Sequence, residues 1–295
     1  MTFSGQKNPK LPRSPRTAAE NAEDFGHCYT EQEAISFAKI LMPAKRIPLE
    51  ICLDSVESAV ASAQGGADRV ELCADLLEGG ITPSAGLIAA VRQKISIGLQ
   101  VMIRPRGGDF CYTEAEFEIM RKDIRMARQL GANGVVFGIL DPDGHIDTKR
   151  TRELVELSRP LNVTHHRAFD MALDLYRALE DVISTGADRI LTSGGEATVS
   201  QGLDTISRLV RAAGDRIIIM PGGGITQDDI RRVAEQSGAR EIHVGLGTEI
   251  PSPMLFRNQK IAMGSIEGYE YKRMVVQQGD VASLVESLKE VSAPV

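Results

Sequence analysis

From Pro48 onward the chain alternates short apolar runs with longer stretches whose apolar residues recur every three or four positions. The short runs predict eight strands: LEICLD (49–54), RVELC (69–73), LQVMIRP (99–105), GVVFGIL (134–140), NVTHH (162–166), RILTS (189–193), IIIMP (217–221) and EIHVG (241–245). Each connection is too long for a hairpin and suits a helical crossover between parallel strands. Upstream, TEQEAISFAKILM predicts a short helix, with Thr30 as cap, Glu33 three residues on, and apolar spacing at Ala34, Ala38, Leu41 and Met42. Residues 1–29 carry Pro9, Pro12 and Pro15 among Lys, Arg and Ser, a disordered-tail composition. The chain thus divides into a tail (1–29), a short helix and linker (30–47), and one domain (48–295).

A repeat supports the domain reading. Gly-Ala plus two residues precedes an apolar run four times, in GADRV at 66, GANGV at 131, GADRI at 186 and GAREI at 238, ahead of the second, fourth, sixth and eighth strands. A glycine that ends a helix, followed by a small residue where the strand begins, is good αβ-loop chemistry. Recurrence on every second strand is what a barrel assembled from βαβα units leaves behind, so the fold expected is α/β, a TIM-type (β/α)8 barrel. An open doubly wound sheet is the alternative. The final helix starts at Asp280, roughly 35 residues after the eighth strand, where loops usually run about 2 to 6. The segment with SPMLFRNQK and EGYEYKR is therefore a candidate lid or subunit contact, and a homo-oligomer one candidate assembly.

Composition narrows the function. Apolar residues are 42% and charged residues 25%, ordinary for a globular chain with a sizeable core. The net charge of -6 and the absence of Trp argue against a nucleic-acid partner. No run reaches the roughly 18 apolar residues of a membrane helix, and no secretory core opens the chain, so no membrane is expected and the location read is cytoplasmic. The four cysteines have wide, unequal spacing, so reduced thiols are expected.

Strand alternation sorts side chains between the barrel interior and the helix layer. Leu49, Ile51 and Leu53 suit the helices, which leaves Glu50, Cys52 and Asp54 inside; the second strand repeats this with Val70 and Leu72 out, Glu71, Cys73 and Asp75 in. The third puts Gln100, Met102 and Arg104 inside, the eighth Glu241 and His243. Buried charges persist only when paired or used. Arg104 is a candidate both to neutralise a glutamate and to hold an acidic substrate. In VTHHRAFD (163–170), parity sends His165 outward with Val163 and His166 inward with Thr164, so His166 is the functional candidate and His165 needs a hydrogen-bond partner in the helix layer. Cys52 and Cys73 occupy matching places in a repeated E-[IL]-C pattern on neighbouring strands. Soft thiolates converging there suit Cu(I), and buried apolar filler is the other reading.

Three glycine-rich turns, SGG (193–195), PGGGI (221–225) and VGLG (244–247), follow the sixth to eighth strands, where backbone amides commonly hold a phosphate or carboxylate; tight turns are the alternative. Candidate anion binders are Arg104, Arg106, Ser193, Gly194, Gly222, Gly223 and Gly245. Candidate acid–base groups are Glu50, Glu71, Arg104, His166, Asp170 and His243. Asp109, Phe110 and Tyr112 are candidates to border the site.

Taken together, LEICLDSVESA, GADRVELC, EGGITPS, IRPRGGDFCY, HRAFD, RILTSGG and SPMLFRNQ resemble the CutC copper-homeostasis family, from about Pro48 to Ser265. The resemblance implies a TIM barrel, cytoplasmic copper handling and Cu(I) binding. It implies barrel-mouth residues at Glu50, Glu71, Arg104, Arg106, His166 and Asp170, with Cys52 and Cys73 as thiols. The family pattern T-F-H-R-A-F-D has His165 at its Phe position here. Two functions follow: a copper-binding homeostasis protein, and an enzyme acting on a small anionic (phosphorylated or carboxylated) metabolite. A pure interaction scaffold would leave the charged interior unexplained.

Overall fold

The structure is a computed structural model that describes residues 46–261, 263, 269–289 and 291. The tail and the helix expected over 30–42 lie outside these residues, as does part of the EGYEYKR run. The eight strands are β1 (Leu49–Leu53), β2 (Arg69–Leu72), β3 (Gly98–Met102), β4 (Gly134–Phe137), β5 (Asn162–His165), β6 (Arg189–Thr192), β7 (Ile218–Pro221) and β8 (Ile242–Gly245). All are parallel and ordered β7-β6-β5-β4-β3-β2-β1-β8. A single parallel bridge between Gly222 and His243 joins the two ends. The result is the TIM-type barrel expected, not the open doubly wound sheet.

Seven helices alternate with the strands: α1 (Val56–Gly65), α2 (Ala85–Lys94), α3 (Glu114–Gln129), α4 (Thr148–Ser158), α5 (Leu175–Thr185), α6 (Val199–Ala213) and α7 (Ile230–Ser237); α8 (Gln278–Lys289) closes the domain. Polar caps start most of them. Ser55, Ser84, Asp147 and Asp174 each accept a first-turn amide, and Thr113 and Glu116 form a reciprocal capping box. On the sheet's outer face Leu49, Ile51 and Leu53 are essentially fully buried, each contributing about 1.5–3 kcal/mol relative to exposure. They belong to one large apolar cluster between strands and helices. Cys73, Met102 and Val136 form a separate small cluster inside the barrel, with Cys52 packed against it. Two clusters with the strand wall between them are what the period of two requires.

The Gly-Ala repeat has a structural role. Gly66, Gly131, Gly186 and Gly238 all take positive φ at helix ends, a conformation that favours glycine. The next polar residue then clamps the preceding strand. Asp68 accepts from the Leu49 amide (2.8 Å) and Arg46, Asn133 from the Leu99 amide (2.9 Å) and Arg92, Asp188 from the Val163 amide (2.7 Å) and Arg159. Three βαβα units thus carry the same lock. The fourth departs from it: Arg240 pairs with Asp215 instead.

The segment after β8, a candidate lid or subunit contact from sequence, contains two strands that the hydrophobic pattern does not predict. Thr248–Pro251 (β9) and Lys272–Val275 (β10) pair as an antiparallel ribbon. They are short, polar and far apart in sequence, so neither apolar alternation nor a two-residue turn signals them. Chain continuity carries this ribbon from the C-terminal end of β8, the side on which TIM barrels build their sites.

Replacing Asp188 by Ala removes the acceptor of a strand amide and should cost about 1–3 kcal/mol, read from urea unfolding. Asp188→Asn should cost less than half as much, because Asn133 does the same work in its own unit.

Candidate functional site

The interior of this barrel is a chain of charges. Arg69, on the inward face of β2, donates to Glu50 of β1 (2.5 Å) and to Glu241 beside β8 (2.5 Å), and Arg189 of β6 grips Glu241 with two donors (2.8 and 3.1 Å). Glu50 also meets His243 Nδ1 at 2.7 Å; His243 Nε2 lies 3.8 Å from Glu71, and Glu71 lies 3.8 Å from Cys73 Sγ. Cys73 Sγ and Cys52 Sγ are 3.9 Å apart. The chain therefore runs from Arg189 and Glu241 through Arg69, Glu50, His243 and Glu71 to a pair of free sulfurs.

Electrostatics along the chain follow from burial and pairing. Burial opposes the charge on Glu50, yet Arg69 and His243 hold its carboxyl well below the usual carboxylate range. Glu241 is likewise lowered against its burial by Arg189 and Arg69. Burial works against the His243 imidazolium, but Glu71, Cys52 and Glu50 keep its pKa well above the usual imidazole value. Burial raises Glu71, with His243 opposing. Sharing a hydrogen with Cys73 and burial lift the Cys52 thiol well above normal. For Cys73 the contact with Cys52 pulls downward, while burial and Glu71 push it up to about 11. The sulfurs are thus thiols at neutral pH, beside an imidazolium.

Some of the residues expected from sequence meet here and others do not. Glu50, Glu71 and His243 converge within metal-ligand spacing, as do Cys52, Glu71 and Cys73. Arg104 does not neutralise a glutamate: its terminal nitrogens donate to the carbonyls of Glu78, Gly80 and Gly108, and it stacks over Phe110. Arg69 and Arg189 do that work instead. Neither is among the candidates drawn from sequence, although the same alternation places both inward, since Arg69 lies two residues before Glu71 and Arg189 two before Leu191. Arg106 is tied to Glu116 (2.6 Å) and Asp109 (3.0 Å) in the loop after β3. Asp75, expected inside the barrel, sits in a loop at a left-handed φ of 48° and lines the mouth cavity described below.

Asp170 is placed as an internal anion. Its carboxylate accepts from the Thr192 and Ser193 hydroxyls, the Ser193 and Gly195 amides, and Arg167 Nε. Ser193 and Gly194 therefore sit in a turn whose anion is supplied by the chain itself; the Gly194 amide bonds Thr192 Oγ1. Arg167 bridges the turns after β6 and β7, because its Nη1 lies next to Gly223. Gly222 is needed for close approach: a Cβ there would collide with Leu191 and crowd His243. A cavity of about 810 Å³ opens over these groups, lined by Cys52, His243, Arg167, Gly223, Gly224 and Gly245, with Lys272 to Val275 of β10 forming another wall.

The histidine pair divides as alternation predicts. His165 aligns with Phe137 and Ile190, both of the outer apolar cluster, and is fully buried. Its hydrogen bond is not to the helix layer as expected: Nδ1 meets the carbonyl of His166 at 3.2 Å, and Nε2 is buried without a partner among the described residues. His166 accepts from the Ala168 amide through Nδ1 and packs on Phe110, its Nε2 likewise unpartnered. Burial first, then His165 and Arg104, push His166 well below the normal imidazole value, so it is neutral.

With this geometry in hand, the comparisons decide the family. The CutC family model matches residues 47–248. This chain belongs to the CutC family. Among its CutC relatives, the copper homeostasis protein cutC homologs of Mus musculus and Homo sapiens are 49% and 48% identical over 244 residues, which is 82% of this chain and 90% and 89% of theirs. The crystal structure of the putative copper homeostasis protein CutC from Streptococcus agalactiae superposes with a TM-score of 0.64 at 34% identity, covering 67% of this chain and 98% of that one. Most of the residues that carried the resemblance in sequence lie on or just after β1, β2, β3, β5 and β6 of the CutC barrel, while SPMLFRNQ lies between β9 and β10.

Two outcomes test this account. Arg69→Met strands Glu50 and Glu241 without their shared cation and should cost about 3–5 kcal/mol, measured by chemical denaturation. Burial holds His165 at about 4 against an ordinary 6.5. Unfolding therefore takes up a proton between those values, and the stability this neutral ring contributes is complete above about pH 6.5 and lost as pH falls toward 4. Exchanging His165 for Phe should flatten stability against pH between pH 6 and 5 by about 1.2 kcal/mol relative to wild type.

Proposed function

We propose that this CutC-family protein binds Cu(I) as cargo between Cys52 and Cys73, in service of copper homeostasis. The observation that carries the reading is the pair of free sulfurs 3.9 Å apart beside a cavity open to small molecules. Two metal–sulfur bonds of about 2.3 Å span up to about 4.6 Å, so an ion fits between the sulfurs in a bent arrangement. Soft thiolates select Cu(I). The bend leaves a side open toward Glu71, whose oxygen shares ligand spacing with both sulfurs.

Charge supports the same reading. A monovalent ion held by two thiolates carries one net negative charge, and the His243 imidazolium supplies the compensating positive charge at the same place. Glu50, held ionised by Arg69, keeps that imidazole protonated and oriented. The three described cysteines are free, and among the described residues no helix is long and apolar enough to cross a membrane. The free thiols support a reducing compartment as the place of action.

Reduced protein should bind one Cu(I) per chain in competition with a Cu(I) chelator, and Cys52→Ser/Cys73→Ser should bind none at that site. Unchanged stoichiometry in the double variant would overturn the assignment. Both thiols are raised, so binding must displace their protons. Apparent affinity should climb with pH through the neutral range by up to about a hundredfold per unit, with two protons released.

A further inference from the structure

The geometry points to a second site in the same mouth: a seat for a phosphate group, made by the Gly224 amide and the free edge of Arg167, where the turn after β7 runs through Gly223 without a side chain. The turn after β6 supplies the precedent within the molecule. There Asp170 fills a glycine-rich turn with a carboxylate that takes amide, hydroxyl and guanidinium donors. The turn after β7 has the same glycine-rich character, with Gly223 and Gly224 at φ of 121° and 70°. The Gly224 amide has no acceptor among the described residues, whereas the Gly223 amide is turned to the His243 carbonyl across the bridge between β7 and β8, and among the described residues no carboxylate bonds either glycine.

Arg167 couples the two turns. Nε is bound to Asp170 (2.8 Å) and Nη2 to Ser193 Oγ (2.7 Å), so the guanidinium plane is fixed. Nη1 has no partner among the described residues and faces Gly223, where even an added Cβ would lie 3.0 Å from it. A fixed cation beside an open backbone donor is an arrangement that holds oxyanions. The cavity continues past this seat along Leu76, Leu77, Leu246 and Tyr269. At about 810 Å³ it takes more than an inorganic ion, within the roughly 300–1,000 Å³ of small-molecule sites. The ligand class is therefore a small phosphate monoester, its phosphate on the β7 turn and its organic part along this wall. Among the described residues the carboxylates that line the cavity are Asp54 and Asp75, which follow β1 and β2 and so leave the β7 side to Arg167.

This site is independent of the thiols and narrows the anion candidates drawn from sequence to Gly223 and its neighbours, with Arg167 in place of Arg104 and Arg106. It is tested by calorimetric titration of the full reduced, copper-free chain with glycerol 3-phosphate, inorganic phosphate and glycerol. Glycerol 3-phosphate should bind one per chain and glycerol should not. Tighter binding of the ester than of inorganic phosphate identifies a metabolite site, and equal binding a free-phosphate site. Gly245→Asp places a carboxylate in the mouth where a side chain meets nothing within 4 Å, and should weaken binding at least tenfold, while Gly245→Asn should retain it. Arg167→Gln should lose a similar factor, and Cys52→Ser/Cys73→Ser none. No binding by the wild type, or equal affinity in the Gly245→Asp and Gly245→Asn proteins, overturns the proposal whatever the copper result.

Discussion

One guanidinium, that of Arg69, sets the terms for the inside of this barrel. It is shared by Glu50 and Glu241, both largely removed from water. Most barrels of this kind fill their interior with layers of branched apolar side chains. Here one layer is ionic, and such a layer holds only while every charge keeps its partner. Arg189 completes the balance at one end and His243 at the other. Replacing the set with apolar residues would make an equally compact barrel but would remove the field that acts on the groups above it.

That field explains why the mouth holds a cation beside two neutral thiols. Glu50 is ionised because of Arg69, His243 is protonated because Glu50 and Glu71 flank it, and the thiols keep their protons because burial and the neighbouring Glu71 disfavour a thiolate. The interior also contains polar atoms without partners among the described residues, including Glu71 Oε1, Gln100 Oε1, Thr164 Oγ1 and Arg189 Nη1. All four are on inward-facing positions of the strands. A polar core of this kind supplies hydrogen-bonding capacity that an apolar one lacks.

The strand run and the inward set of β1, β2 and β8 were legible because both depend on local periodicity alone. Leu49, Ile51 and Leu53 against Glu50 and Cys52 cannot be arranged any other way on a strand with one face against helices. Which charges meet was not legible. Strand stagger decides that Arg69 reaches Glu241, 172 positions away, while Arg104 turns to backbone carbonyls. Asp170 looked like a reactive carboxylate in HRAFD. Its engagement by the turn after β6 depends on a tertiary approach between the short helical turn Arg167–Met171 and Ser193. Cys52 and Cys73 stood between these cases: the repeat pattern put both inside, and only the structure gives their separation.

The ring of strands is not bonded evenly around its circumference. Seven of its eight seams are ladders, whereas β7 and β8 touch through the one bridge from Gly222 to His243. That seam also lacks the Asp or Asn lock of the other units, having Arg240 in its place. Fluctuation follows bonding, and a wall with one bridge loses little when it parts. The imidazole at the centre of the charge chain is therefore mounted on the part of the barrel most free to breathe, and slow hydrogen exchange should be a property of every seam but this one.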